Sequence, residues 1–152
     1  MARSTSNPRR AASFNSAGEL RRLTAGACAL LFLFIAPLVY LIHWPLLAIP
    51  YFWDEAGQFI PAALDLLHGG TWVARSTIPN IHPPGVMLYL AAAWKVAGYS
   101  PAITRAAMLL LASFALLAGF LLARELSRGQ SPRAAWCALA LLLVSPLVFA
   151  QS

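Results

Sequence analysis

Two adjacent carboxylates, Asp54 and Glu55, stand where a long apolar stretch of the sequence turns polar. A carboxylate can accept a proton from a reacting hydroxyl group, which makes this pair the first place to look for chemistry. The pair could equally be the solvated end of one helix and the cap of the next. Because charged residues are common where a chain leaves a membrane, the pattern alone favours the capping interpretation.

Three further polar residues follow, and each has an ordinary structural interpretation. His82 precedes Pro83 and Pro84, where it could simply end one element and begin another. Lys95 and Arg105 lie in apolar surroundings, where long basic side chains extend their charge towards water. No spacing of residues indicates a zinc site or a Ser-His-Asp site.

The composition indicates a membrane protein. Of the 152 residues, 60% are hydrophobic and only 11% are charged. A soluble domain of this size has too little interior to bury so many apolar side chains. The net charge of +6 comes from arginines beside apolar runs, which is typical of membrane topology signals and argues against nucleic acid as a partner. Cys28 and Cys137 lie inside apolar runs and form no disulfide or metal pattern.

Three apolar runs are predicted to span the bilayer, which needs roughly 20 apolar residues per helix. They are residues 23–43, 103–123 and 134–150. The first run is too long for a cleaved signal peptide, and no A-x-A-like site follows it closely. Residues 1–22 before it are basic and mostly polar, which predicts a disordered tail on the cytoplasmic side.

A fourth apolar segment, residues 84–97, allows two interpretations, because a helix over it would reach only about 21 Å. If it spans, the arginines of residues 124–133 lie outside. If it lies along the surface, they are cytoplasmic and the positive-inside rule holds. We therefore predict an all-α protein of the inner cell membrane with about three spanning helices. Residues 50–102 would form an outer loop with one or two interfacial helices.

Polar residues are concentrated in this outer loop, and two local structures are open for its first part. One helix could run over residues 54–68. Its polar residues would then share one face: Asp54, Gln58, Asp65 and His68. Alternatively, a helix begins near Ile60 with Pro61 in its first turn, and the two carboxylates lie in the turn before it.

The order of these features resembles a known family. After the first span the sequence reads, in order, "WDE", "AALDLLHGGTW" and "HPPG". Then come "YLAAAWKVAGYSPAITRAAMLLLASFALLAG" and finally "SPLVFAQS". This order is similar to the N-terminal part of the GT-C superfamily of polytopic glycosyltransferases. The nearest likeness is to the bacterial relatives of dolichyl-phosphate-mannose protein mannosyltransferases and to the lipid A aminoarabinose transferase. The likeness covers roughly residues 23–152.

The resemblance implies transfer of a sugar from a polyprenyl-phosphate carrier to a glycan, lipid or protein acceptor on the outer side of the membrane. Asp54 would then be the general base, and Glu55 would orient the acceptor or bind a divalent cation. His82, Lys95 and Arg105 would contact the carrier phosphate, in falling order of preference. Apart from that cation, no cofactor is implied.

Length distinguishes this chain from such transferases, which normally run to several hundred residues. The chain is therefore expected to be a fragment of a longer protein and to be inactive alone. The alternative is a small non-enzymatic polytopic membrane protein that binds a lipid or a protein partner. A transporter is disfavoured, because its acidic residues would lie inside the spanning helices rather than between or beside them.

Overall fold

The computed structural model describes residues 24–53, 55–78, 84–127 and 132–145. These residues are 78% helical and include no strand, which confirms the all-α class. The predicted tail, residues 1–22, lies outside the described residues, as do Asp54 and His82. The helices in chain order are α1 Ala25–His43, α2 Ile60–Gly69, α3 Gly85–Ala97, α4 Pro101–Leu126 and α5 Pro132–Leu143. A 3₁₀ turn, Trp44–Leu46, extends α1, and a π-helical turn, Glu55–Phe59, precedes α2.

Two helices, α1 and α4, are long and apolar enough to cross a membrane. With its 3₁₀ extension, α1 covers Ala25–Leu46, and α4 has 26 residues, or about 39 Å at 1.5 Å per residue. In the most apolar 18-residue stretch of α1, only 11% of the residues are buried. In that of α4, 22% are buried. A core helix of a soluble protein is enclosed by its neighbours, whereas most of the apolar side chains of these helices are exposed or only partly buried. They coincide with the predicted spans 23–43 and 103–123.

The helices α3 and α5 are shorter. The 13 residues of α3 reach about 20 Å, and the 12 residues of α5 reach about 18 Å. The described part of α5 therefore does not reach the length of a span, and residues 146–150 of the predicted third span lie outside the described residues. Pro146 follows in the sequence and disfavours a helical Ser145, so an end of α5 near this point has a local cause.

The buried residues form two hydrophobic clusters. The long-helix cluster joins α1, α4 and α5 through Ile35, Val39, Leu109, Leu116, Phe120, Ala135 and Leu139. The other cluster lies in the predicted outer loop, and we name it the outer-loop cluster. It joins α2, α3 and the loop after α2 through Ile60, Ala62, Ala63, Ala74, Met87, Leu90 and Trp94. Both clusters use α4, because Ile103, Ala107 and Met108 in its first turns pack against the outer-loop cluster.

Hydrogen bonds tie α4 to its neighbours on two sides. The hydroxyl of Tyr40 on α1 donates to the backbone carbonyl of Ala106. The hydroxyl of Tyr89 on α3 donates to the next carbonyl, that of Ala107, at 2.7 Å. The rings of Phe32 and Phe114 stack with centroids 4.3 Å apart, which adds an aromatic contact between α1 and α4. The long helix α4 is thus the element on which the rest of the described fold is assembled.

Gly119 sets the close approach of α4 and α5. A Cβ atom at Gly119 would lie 2.8 Å from Cδ1 of Leu142. Because the end of a leucine side chain can move, we expect Gly119→Ala to leave the stability of the protein nearly unchanged. Gly119→Leu should push the helices apart and lower the free energy of unfolding by about 1–3 kcal/mol. Thermal unfolding in detergent measures both, and Ala118→Leu on an exposed face is the control. Equal stability of the Leu and Ala variants at position 119 would contradict this packing.

Candidate functional site at the start of α4

The corner between α3 and α4 is built by residues that end one helix and begin the next. Gly98 follows α3 with φ at 88°, a conformation that glycine adopts readily, and its N–H donates to the Trp94 carbonyl at 2.8 Å. Ser100 caps α4, since its Oγ accepts the Ile103 N–H at 3.2 Å, and Pro101 suits the first turn. This short corner brings the first turn of α4 against the end of α3.

Arg105, the fifth residue of α4, holds the segment that leaves α1. Its Nη1 and Nη2 donate to Oε1 and Oε2 of Glu55 at 3.3 and 3.1 Å. Its Nε donates to the Ile49 carbonyl at 3.2 Å, and Nη2 donates to the Pro50 carbonyl at 3.1 Å. The planar guanidinium matches the carboxylate in a two-pronged pair, which a lysine could not reproduce. The Arg105 side chain is only 11% exposed and that of Glu55 is 34% exposed, so the pair is partly shielded from water.

Thr104, the preceding residue, is buried and joins three elements. Its Oγ1 donates to the Ser100 carbonyl at 2.9 Å and accepts from Nε1 of Trp94 at 2.9 Å. The hydroxyl of Tyr51 lies 2.6 Å from the same Oγ1. A threonine hydroxyl has one hydrogen, and this one goes to Ser100, so Tyr51 is the donor of that bond. We name Tyr51, Glu55, Trp94, Thr104 and Arg105 the α4 hub.

Tyr51 remains a hydrogen-bond donor over the whole physiological pH range. Burial raises the pKa of Tyr51 to about 12. The ring of Tyr51 stacks on that of Tyr99 with centroids 6.1 Å apart. Tyr99 in turn meets Trp94 edge-on at 5.0 Å. These aromatic contacts support the α4 hub from the side of α3.

Glu55 also fixes the local backbone. Its Oε2 accepts the N–H of Phe52, three residues earlier, at 3.2 Å, as in one half of a capping box. Trp53 has φ at 43°, which is unusual for a bulky residue, and its side chain is exposed. Asp54 stands in the sequence between Trp53 and Glu55, and the structure describes both neighbours.

The predicted site residues are therefore brought together only in part. Glu55 and Arg105 form an ion pair, whereas Lys95 is exposed near the end of α3 and makes no ion pair within the described part of the chain. Asp54 and His82 lie outside the described residues. The assignment of a base and of phosphate contacts remains a prediction. Sequence reasoning missed Thr104, and its only indication was its place beside Arg105.

The first part of the predicted outer loop follows the second of the two predicted local structures. The α-helix begins at Ile60 with Pro61 in its first turn, and Glu55 lies in the π-helical turn before it. A proline in the first turn lacks only a backbone N–H that would have no helical partner there. The continuous α-helix over residues 54–68 is therefore not formed.

Asp65 has a structural role in folding the following loop back onto α2. Its Oδ2 accepts the backbone N–H groups of Arg75 at 2.6 Å and Ser76 at 2.8 Å. The hydroxyl of Thr77 adds a bond to the Gly57 carbonyl. The bonds from Ser76 and then Arg75 lower the pKa of Asp65, because they stabilise the ionised carboxylate.

The loop attachment at Asp65 should depend on pH. Because the folded pKa is lowered, the stabilisation is complete above the unfolded value of about 3.9 and is lost as the pH falls through the folded value. We expect the amides of Arg75 and Ser76 to be protected from hydrogen exchange at pH 6 and to lose protection in strong acid. In Asp65→Ala the protection should be missing at both pH values, and Glu125→Ala is the control. Protection that persists in Asp65→Ala would contradict the assignment.

No group of three or more His, Cys, Asp or Glu side chains that could hold a metal ion occurs among the described residues. Comparison of the chain with known protein families, with curated proteins and with solved structures found no match. The candidate site is therefore interpreted from its own geometry and chemistry.

Proposed function

We propose that this chain forms the N-terminal module of a GT-C-like membrane glycosyltransferase, which moves a sugar from a polyprenyl-phosphate carrier to an acceptor on the outer side of the membrane. The observation that carries the proposal is the α4 hub. It fastens the segment next to Asp54 onto the first turn of a helix that is long enough to span a bilayer. The sugar of a lipid-linked donor emerges from the membrane at that depth.

A membrane location follows in this proposal from the exposed apolar surface of the long helices. Water-exposed side chains such as Leu30, Leu33 and Phe34 on α1 would be costly, whereas lipid accommodates them. α1 and α4 span the inner membrane with a cytoplasmic N-terminus, and the predicted third span, residues 134–150, begins within α5. Exposed Phe52, Trp53 and Trp72 belong to the aromatic belt at the outer interface.

Asp54 is the general base in the proposed reaction. Glu55 is less suited to that role, because both its carboxylate oxygens already accept hydrogen bonds from Arg105. A base must lie within hydrogen-bond reach of the acceptor hydroxyl, whereas the Glu55 carboxylate is directed at Arg105 and at the Phe52 N–H. His82 and the exposed Lys95 supply positive charge near the carrier phosphate.

A second function is favoured by the same ion pair. Glu55 and Arg105 neutralise each other, as structural pairs do, and such a pair alone needs no substrate. A small non-enzymatic membrane protein that binds a lipid or a protein partner would use the α4 hub only for stability. The two functions differ in whether the chain recognises a lipid-linked phosphate.

Recognition of the carrier tests the proposal. The chain is placed in nanodiscs with a photoreactive polyprenyl phosphate, and crosslinking is measured with competing lipids. We expect unlabelled polyprenyl phosphate to compete and polyprenol of the same length to fail. Lys95→Ala should weaken binding about tenfold, as expected for the loss of one charge-assisted contact. Arg133→Ala, at the start of α5, is the matched control. Equal competition by polyprenol would contradict carrier recognition.

A further inference from the structure

We propose that Arg105 and Thr104 are positioning residues that hold residues 49–55 on α4, and that Arg105 is not a ligand of the carrier phosphate. The inference rests on the proposed transferase function, because it concerns how the segment that contains Asp54 is placed for the reaction. It changes the role that the family resemblance implies for Arg105.

The donors of Arg105 are directed at the protein itself. A guanidinium has five N–H groups, and the bonds to Glu55, Ile49 and Pro50 use four of them. The side chain is 11% exposed. A phosphate that makes a two-pronged contact with the guanidinium would therefore have to displace the Glu55 carboxylate or a backbone carbonyl, and the displaced group would lose its donor. Lys95, by contrast, is exposed and can bind a phosphate without breaking an ion pair such as that of Arg105 with Glu55.

Apolar packing does little to fix residues 49–55. The side chains of Ile49, Phe52 and Trp53 are exposed by 45%, 70% and 77%. Among the described residues of this segment, only Tyr51 packs against the outer-loop cluster. The polar contacts from α4 therefore hold this segment: Thr104 holds the Tyr51 hydroxyl, and Arg105 holds the Ile49 and Pro50 carbonyls and Glu55.

This arrangement predicts that Arg105 and Glu55 act on the turnover rate and not on donor affinity. A base that is displaced by about 1 Å loses much of its effect, whereas binding of the carrier uses other groups. Arg105→Lys keeps the charge but cannot make the two-pronged pair and both carbonyl bonds. Residues 49–55 should therefore be more ordered in Arg105→Lys than in a variant without the charge, but less ordered than in the wild type.

The first readout is independent of any activity. A spin label is attached to Phe52→Cys in a chain whose native cysteines are replaced by Cys28→Ala and Cys137→Ala. We expect an immobilised label in this parent and a mobile one in Arg105→Gln and in Glu55→Gln. The double variant should be no more mobile than Arg105→Gln, and Lys95→Gln should match the parent. An immobilised label in Arg105→Gln would overturn the inference.

Thr104 provides a second pair of variants that keeps the ion pair. Thr104→Ser retains the hydroxyl that Tyr51 and Trp94 contact, and Thr104→Val removes it with little change of shape. The label at position 52 should become more mobile in Thr104→Val than in Thr104→Ser. Equal mobility in the two variants would count against a positioning role for Thr104, whether or not Arg105→Gln folds.

The second readout is the affinity of the chain in nanodiscs for polyprenyl phosphate. A positioning role predicts that Arg105→Gln stays within about twofold of the wild type, whereas loss of a phosphate ligand would weaken binding about tenfold or more. Tenfold weaker binding with an unchanged spin label would overturn the inference. If the wild-type chain does not bind the lipid, the proposed function fails, and the mobility of the spin label still decides the positioning role.

Discussion

Replacing Trp94 by alanine is expected to unfold the outer-loop cluster while the contacts between α1, α4 and α5 persist. Trp94 is 3% exposed, and its Nε1 donates to Thr104. Removing a buried tryptophan side chain costs about 3–5 kcal/mol. The long-helix cluster shares no buried residue with the outer-loop cluster. The loss of structure should therefore stay within the outer-loop cluster.

Hydrogen exchange in detergent measures this prediction helix by helix. Amides of α2 and α3 should exchange faster in Trp94→Ala, and those of α1 and of the second half of α4 should stay protected. Trp94→Phe keeps a large ring but removes the donor to Thr104. It should therefore lower the free energy of unfolding less, by about 1–2 kcal/mol. Trp72→Ala, at an exposed position of the same loop, is the control. Loss of protection in all helices together would show that the two clusters do not fold separately.

Replacing Asp54 by asparagine is expected to abolish most of the proposed sugar transfer. Asparagine has nearly the shape of aspartate but cannot take the proton of the acceptor, and loss of a general base lowers turnover about 10²–10⁴-fold. Glu55→Gln should lower turnover less, since Glu55 acts through its bonds to Arg105 and to the Phe52 N–H. Donor affinity should change little in either variant.

Transfer is measured in membranes of cells that express the proposed transferase. Asp65→Asn is the matched control, because Asp65 is an acidic residue of the same loop that binds backbone amides. We expect its turnover to remain close to that of the wild type. Turnover of Asp54→Asn equal to that of the control would eliminate Asp54 as the base.

The long helices could be predicted because their signal is local. A continuous apolar run predicts the length of a helix. The predicted bounds 23–43 and 103–123 lie within three residues of the observed ends of α1 and α4. The start of α2 was left open between two structures. Pro61 decides between them, since its missing N–H is tolerated in a first turn and not within a helix.

The α4 hub could not be predicted in the same way. Glu55 and Arg105 are 50 residues apart, and their pairing depends on how the α3–α4 corner folds. Tyr51 in an aromatic run has the sequence context of an interfacial anchor, and nothing in the sequence relates it to Thr104. Polar residues whose partners are distant in sequence acquire their roles through packing, which residue types and spacing do not encode.

The membrane arrangement is tested most directly by thiol labelling of intact cells with a membrane-impermeant maleimide. In the background Cys28→Ala, Cys137→Ala, one cysteine is introduced at Trp72 in the outer loop or at Glu125 near the end of α4. Both positions are exposed. We predict that Trp72→Cys is labelled in intact cells and that Glu125→Cys is labelled only after permeabilisation. Labelling of Glu125→Cys but not of Trp72→Cys, or of both in intact cells, would contradict an outer loop held on two spanning helices.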